Sequence, residues 1–126
     1  MTADDIRAVL LALEGVEEGA HMGHPDFRLG GRVFAGLLAD EQVASVNLTP
    51  DAQAALVAEA SDTFAPAAGA WGRQGWTRIT LAGAPVAAVR GALVLAWELA
   101  RQRPPARAAA TRRQPRPSAG RRRLRG

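Results

Sequence analysis

The sequence contains no cysteine and no lysine. A chain without cysteine has no disulfide, no thiolate metal site and no cysteine nucleophile, and it suits the reducing cytosol. No apolar run approaches the roughly 18 residues of a membrane-spanning helix. The N-terminus also lacks the charged region and apolar run of a signal peptide. We therefore expect a cytoplasmic protein that does not associate with membranes.

All basic residues are arginine, and they are unevenly distributed. Residues 1–100 contain six arginines and all twelve acidic residues, a net charge of −6, whereas residues 101–126 contain ten arginines and no acid. We predict one α+β domain over 1–102 and a disordered Arg/Pro/Ala-rich tail over 103–126. A basic arm on an acidic domain is typical of nucleic-acid binding. The alternative is a solvated tail with weak affinity for polyanions, since GC-rich codons encode the same residues.

Apolar spacing and turn residues predict the elements of the first half. Residues 2–14 form a helix that Thr2 caps. Residues 26–38 form a hairpin around the two-residue turn Gly30-Gly31. In that hairpin Phe27 lies opposite Phe34 on the core face, and Arg28 points to the other side.

The second half repeats the alternation of strands and helices. Residues 42–48 form a strand, and Thr49-Pro50 opens a helix that ends near residue 60. Residues 63–69 are rich in turns, 75–81 form a strand, and 85–101 form the last helix. The order α-β(3)-α-β(1-2)-α predicts an α+β two-layer sandwich, with helices on one face of a mostly antiparallel sheet.

The segment GAWGRQGWTRITL, residues 69–81, places two tryptophans five residues apart. In one interpretation Trp71 and Trp76 close the end of the core, and Arg73 and Gln74 bond the hairpin backbone. In the other, Trp76, Arg73 and Arg78 are presented to bases or phosphates. We expect the segment to stabilise the fold first and to present these side chains second.

No motif predicts an enzyme or a cofactor. His21 and His24 lie three apart, which on a strand or turn would not place them on one face, and Asp26 is the nearest third ligand. The acid pairs Glu17-Glu18 and Asp40-Glu41 resemble solvated turns rather than catalytic carboxylates. Gly30-Gly31 lacks the lysine of a phosphate-binding loop. We therefore expect no catalytic residue, no metal and no cofactor.

Three spaced segments resemble the MmcQ/YjbR family of small bacterial proteins. They are LEGVEEGAHMGHPDFRLGGRVFAGL at 13–37, LTPDAQAAL at 48–56 and PAAGAWGRQGWTRITL at 66–81. The resemblance covers about residues 1–101, with Met22 where a bulky aromatic is usual and Arg32 where lysine is usual. It implies a two-layer fold similar to secretion chaperones and DNA binding through a "double wing" surface.

These observations together favour a nucleic-acid-binding protein that acts as a monomer or weak dimer. The tail could neutralise phosphates without reading bases, so its DNA binding would be independent of sequence. The alternatives are a protein-interaction module and a ligand-binding domain with Trp71 and Trp76 in the pocket wall. The candidate nucleic-acid-binding residues are Arg28, Arg73, Trp76 and Arg78 in the domain, and Arg112, Arg113, Arg121, Arg122 and Arg123 in the tail.

Overall fold

The computed structural model describes residues 1–38 and 40–103. The predicted basic tail, with its five candidate arginines, lies outside the described residues except for Arg103. None of the described helices is long and apolar enough to span a membrane. The elements in chain order are α1 (Ala3–Leu11), β1 (Glu17–His21), β2 (His24–Leu29), β3 (Arg32–Leu38), β4 (Val43–Asn47), α2 (Pro50–Glu59), β5 (Phe64–Pro66), α3 (Gly69–Arg73), β6 (Trp76–Thr80) and α4 (Val86–Arg101).

The six strands form one antiparallel sheet in the order β1-β2-β3-β4-β6-β5. The predicted α+β class with an antiparallel sheet is confirmed. The predicted element order allowed one or two strands between the second and last helices, and the structure has two, β5 and β6. The order lacked β1 and the five-residue helix α3. Strand β1 is an edge strand whose residues are mostly exposed, so it carries no apolar alternation that a sequence pattern could reveal.

Two tight turns build the β1-β2-β3 part of the sheet. Gly30 and Gly31 both have positive φ angles, of 62° and 80°, as two-residue hairpin turns require. Strand β3 then carries a bulge, because Phe27 pairs with Ala35 while Arg28 pairs with Val33. The predicted pairing of Phe27 with Phe34 was therefore wrong. The bulge inserts one extra residue, so Phe34 and Ala35 are both buried.

Helices α1, α2 and α4 cover one face of the sheet. Alternate strand residues on that face form the core with Ile6 and Leu10 of α1 and Val89 and Leu93 of α4. The strand residues that contribute are Phe27, Ala35, Leu37, Ala44, Val46, Phe64, Thr77 and Ile79. Because strand side chains alternate between faces, the residues between them lie on the opposite face.

The first helix is anchored at its start and on its outer surface. Thr2 and Asp5 form a reciprocal capping box. The hydrogen bond from the Thr2 backbone N–H lowers the pKa of Asp5. Arg7 pairs with Glu18 of β1 at 3.1 Å and with Glu41 in the turn before β4 at 3.9 Å. Arg7 thus neutralises part of the negative charge on the helical side of the domain.

Candidate functional site

The sheet face opposite α1, α2 and α4 carries no helical layer in the described part of the chain. We call it the open face. Strand register places Arg28, Ser45 and Arg78 there. Arg28 and Arg78 lie three strands apart, about 14 Å across the sheet. Its remaining outward side chains are Glu17, His21, His24, Asp26, Val33, Leu38, Val43, Asn47, Ala65, Trp76 and Thr80.

Helix α3 places a second tryptophan over the open face. The rings of Trp71 and Trp76 meet edge to face, with centroids 6.3 Å apart and planes at 84°. Trp76 is half-buried, whereas Trp71 is 63% exposed. The expectation that both tryptophans close the core was therefore wrong. The edge-to-face contact instead supports Trp71 and leaves much of its surface open to solvent.

The backbone of the segment between Trp71 and Trp76 is held by hydrogen bonds from Gln53 and by close contacts at two glycines, not by the tryptophan rings. The side-chain amide of Gln53, buried on α2, donates to the carbonyls of Gly72 and Trp76 at 3.0 and 2.9 Å. A Cβ at Gly72 would lie 1.9 Å from the Ala67 carbonyl oxygen, and one at Gly75 would lie 1.9 Å from that of Leu48. Only glycine allows these close approaches. This is why two glycines lie between the two tryptophans.

A cleft of about 640 Å³ crosses the open face between the β1–β2 turn and α3. Its floor contains Gly36 and Ser45, which are register partners with little side-chain bulk. Met22 stands on one side and Trp71 on the other. Most of the cleft surface is apolar, although half of its lining residues have polar side chains. A mainly apolar surface with polar groups in it is usual for a ligand site. The other polar side chains in its wall are His21, His24, Asp26, Arg28, Arg32, Asn47 and Gln74.

Asp26 and Arg28 form a two-point ion pair in the cleft wall. Arg28 Nε donates to Asp26 Oδ1 at 2.9 Å, and Arg28 Nη2 donates to Oδ2 at 3.1 Å. The Asp26 side chain is 8% exposed and that of Arg28 is 40% exposed. The hydrogen bond with Asp26 raises the pKa of Arg28. Arg28 is therefore a fixed cation with part of its guanidinium edge accessible.

The two histidines lie on the same face, contrary to expectation. His21 and His24 are register partners across the turn formed by Met22 and Gly23, whose φ angles are 52° and 81°. A two-residue turn brings residues three apart opposite each other, which a continuous strand would not do. Within residues 1–38 and 40–103, no group of three His, Asp or Glu side chains is arranged to hold a metal ion.

Two further arginines, Arg32 and Arg103, lie close to each other at one end of the sheet. Arg32 lines the cleft, and its Nε atom is buried without a hydrogen-bond partner among the described residues. Burial lowers the pKa of Arg103, which follows α4, and the positive charge of Arg32 lowers it further. Positive charge is thus concentrated at this end of the sheet without a carboxylate to balance it in the described ion pairs.

Three of the four predicted domain residues share the open face, namely Arg28, Trp76 and Arg78. Arg73 is exposed at the end of α3. Sequence reasoning considered Asp26 only as a metal ligand and missed Gly36 and Ser45. The register between β2, β3 and β4 reveals all three positions, but that register depends on the bulge in β3. The five tail arginines lie outside the described residues.

Together these features define a small α+β sandwich with one helix-covered sheet face and one open, cleft-bearing face. A model of the YjbR family matches residues 11–99, and the chain belongs to that family. The fold is similar to the crystal structure of Deinococcus radiodurans protein DR2400, which is described as a DUF419 domain. That likeness has a TM-score of 0.68 at 22% identity and covers 78% of this chain and 77% of the other. Among curated proteins no sequence matches the chain.

Proposed function

We propose that this protein is a cytoplasmic, non-catalytic binder of single-stranded nucleic acid that uses the open face assisted by its arginine tail. The observation that carries the proposal is the exposed Trp71 ring close to Arg78, on the sheet face opposite α1, α2 and α4. Single-stranded nucleic acid is commonly bound by stacking bases on aromatic side chains within a basic groove. YjbR family membership fits this proposal, since the resemblance implies DNA binding.

The charge of the domain is distributed in a way that supports the proposal. Of the twelve acidic residues, only Glu17 and Asp26 point to the open face by strand register, and Asp26 is paired with Arg28. The others lie on helices α1, α2 and α4, on the core side of β1 or in turns. The net charge of −6 over residues 1–100 therefore belongs mainly to the helical side. The open face is suited to a polyanion.

The tail supplies attraction of a different kind. Residues 101–126 contain ten arginines and no aromatic residue. Arginine neutralises phosphates by releasing counterions, so its contribution falls steeply with added salt and carries no base preference. We assign sequence-independent attraction to the tail and stacking to the open face.

The test is fluorescence anisotropy of labelled single-stranded and duplex DNA with the full-length protein at several salt concentrations. The face variants are Trp71→Ala and Arg78→Gln. The tail variant changes Arg112, Arg113, Arg121, Arg122 and Arg123 to Gln. Matched controls on the helical side are Leu11→Ala and Arg90→Gln, both at exposed positions.

We expect Trp71→Ala to weaken single-strand binding by about 1–3 kcal/mol, the usual contribution of stacking a base on an aromatic ring. The tail variant should reduce the salt slope by about 0.7 for each phosphate that the tail no longer neutralises. The helical-side controls should bind like the unmodified protein. If both face variants bound single strands as tightly as the controls do, the open face would not be the interface.

A second candidate function is a protein-interaction module. Trp71 is 63% exposed and Met22 is 85% exposed, one on each side of an apolar cleft. Exposed aromatic and methionine side chains are enriched at protein interfaces. A photo-crosslinking residue at position 22 in cells distinguishes the two functions, because it would capture a defined protein in one case and nucleic acid in the other.

A further inference from the structure

The cleft in the open face is large enough to hold one small planar group. Its volume of about 640 Å³ lies within the range of roughly 300–1,000 Å³ that small-molecule sites occupy. Gly36 opens the floor, where a Cβ would make only ordinary contacts, 3.4 Å from the Pro25 carbonyl oxygen and 3.6 Å from Ser45 Oγ. The exposed ring of Trp71 stands over this floor.

Arg28 is fixed with one pair of donors committed and another pair available. Asp26 accepts from Nε and from one hydrogen of Nη2. The two hydrogens of Nη1 and the second hydrogen of Nη2 form the end of the guanidinium fork. Gly19 leaves room for this arrangement, since a Cβ there would lie 2.9 Å from Asp26 Oδ1 and 3.1 Å from Arg28 Nε. The Asp26–Arg28 ion pair therefore requires a residue without a side chain at position 19 of β1.

The cleft rim contains a residue that the turn does not favour. Met22 is 85% exposed and has a φ of 52°, a backbone conformation that is costly for a side chain of this kind. Asparagine before Gly23 would suit the turn better. Unfavourable backbone conformations concentrate at binding sites, and this one presents a large apolar side chain at the cleft.

We infer that the cleft receives one unstacked guanine of a bound single strand. The base stacks on Trp71, and its O6 and N7 atoms accept hydrogen bonds from the free end of the Arg28 fork, the pairing that arginine most commonly makes with guanine. Adenine presents its N6 donor in place of O6, so it loses one of the two bonds. This inference rests on the proposed function and adds a base preference to it.

Mononucleotide binding tests the inference directly. Trp97 lies on the helical side, where its Nε1 donates to the Glu14 carbonyl, so Trp97→Phe leaves Trp71 and Trp76 as the only fluorophores of that type. In this background the full-length protein is titrated with dGMP, dAMP, dCMP, dTMP and inorganic phosphate. We expect saturable quenching by dGMP with roughly tenfold tighter binding than the other nucleotides. Equal affinity for all four nucleotides, or displacement of dGMP by equimolar phosphate, would overturn the inference.

Two variants separate the cleft from the rest of the face. Gly36→Leu fills the floor at a position whose backbone tolerates a side chain, and Arg28→Lys retains the charge but removes the fork. Arg90→Lys is the matched control. Circular dichroism and thermal melting verify that each variant is folded. We expect both cleft variants to lose the protein's preference for a dT-rich oligonucleotide with a single central dG over oligo(dT), whereas Arg90→Lys retains that preference.

The outcomes distinguish this inference from the proposed function. If the unmodified protein binds no single strand, both fail together. If it binds oligo(dT) and the dG-containing oligonucleotide equally, the open face is an interface without a guanine site and the inference alone fails. Retention of the dG preference in Arg28→Lys would likewise overturn the role assigned to Arg28.

Discussion

At the scale of single residues, two positions beside the open face have positive φ angles, one occupied by glycine and one by methionine. Met22 has a positive φ at the rim of the cleft, and Gly75 has a φ of 113° beneath the tryptophans. Glycine is forced at position 75, because a Cβ there would meet the Leu48 carbonyl. At position 22 the positive φ favours asparagine or glycine over methionine, so the turn itself does not explain the methionine.

Met22→Asn is expected to raise stability. Asparagine tolerates positive φ and forms the favoured Asn-Gly hairpin turn, and the exposed methionine side chain contributes little burial. The expected gain is about 0.5–1 kcal/mol in the free energy of unfolding, measured by urea denaturation. Met22→Ala is the control, since it removes the same side chain without the turn preference. A destabilised Met22→Asn would show that the methionine contributes packing to the fold.

At the scale of elements, one helix side chain holds the tryptophan segment in place. Gln53 is the only residue of α2 classed as buried among those described, and its amide lies near two backbone carbonyls and the Thr77 hydroxyl. Thr77 in turn donates to the Gly75 carbonyl at 3.0 Å. This polar network couples α2 to α3 and β6, so the position of Trp71 depends on a helix on the other side of the sheet.

Gln53→Leu tests this coupling. The substitution keeps the volume but removes the side-chain donor to the carbonyls of Gly72 and Trp76, which retain only their backbone donors from Gly75 and Ala67. Loss of such a hydrogen bond costs about 0.5–1.5 kcal/mol. We expect lower stability in urea denaturation and a change in the emission of Trp71 and Trp76 in the Trp97→Phe background. Gln42→Leu, at an exposed position, is the control. Unchanged emission would mean that α3 is held by its own backbone bonds alone.

At the scale of the whole molecule, the two faces of the sheet differ in charge. The helical side carries Asp51, Glu59 and Glu98, whereas the open face carries Arg28 and Arg78, and Arg73 is exposed on α3. The net charge of −6 over residues 1–100 therefore predicts the electrostatic potential of neither face by itself. Screening over roughly 8 Å at physiological salt separates the two surfaces electrostatically.

Affinity for single strands should therefore follow the open face rather than the net charge. We expect the triple variant Asp51→Asn, Glu59→Gln, Glu98→Gln to change affinity less than about twofold at 150 mM salt. The double variant Arg73→Gln, Arg78→Gln should weaken it about tenfold or more. At 10 mM salt the screening length rises to about 30 Å, so the acid variant should then bind more tightly. If the triple variant strengthened binding at 150 mM as much as the double variant weakened it, net charge would govern binding.

The sequence by itself determined the elements that local signals encode. Thr2, and Thr49 with Pro50, mark helix starts because they satisfy free backbone groups there. Gly30-Gly31 marks a hairpin because it tolerates positive φ, and alternation in 75–81 predicted that Thr77 and Ile79 face the core while Trp76 and Arg78 do not. These signals act within a few residues, so a pattern suffices to read them.

Only the tertiary structure decided what lies together on the open face. Strand β1 pairs through its backbone, the bulge at Phe34 shifts the register of β2 against β3, and the Met22-Gly23 turn brings His21 opposite His24. Helix α3, which carries the exposed Trp71, accepts a hydrogen bond at Gly72 from Gln53, nineteen residues earlier on α2. These features depend on strand register or on contacts between residues far apart in the chain. Backbone hydrogen bonds and close packing determine them, and side-chain patterns along the sequence do not encode either.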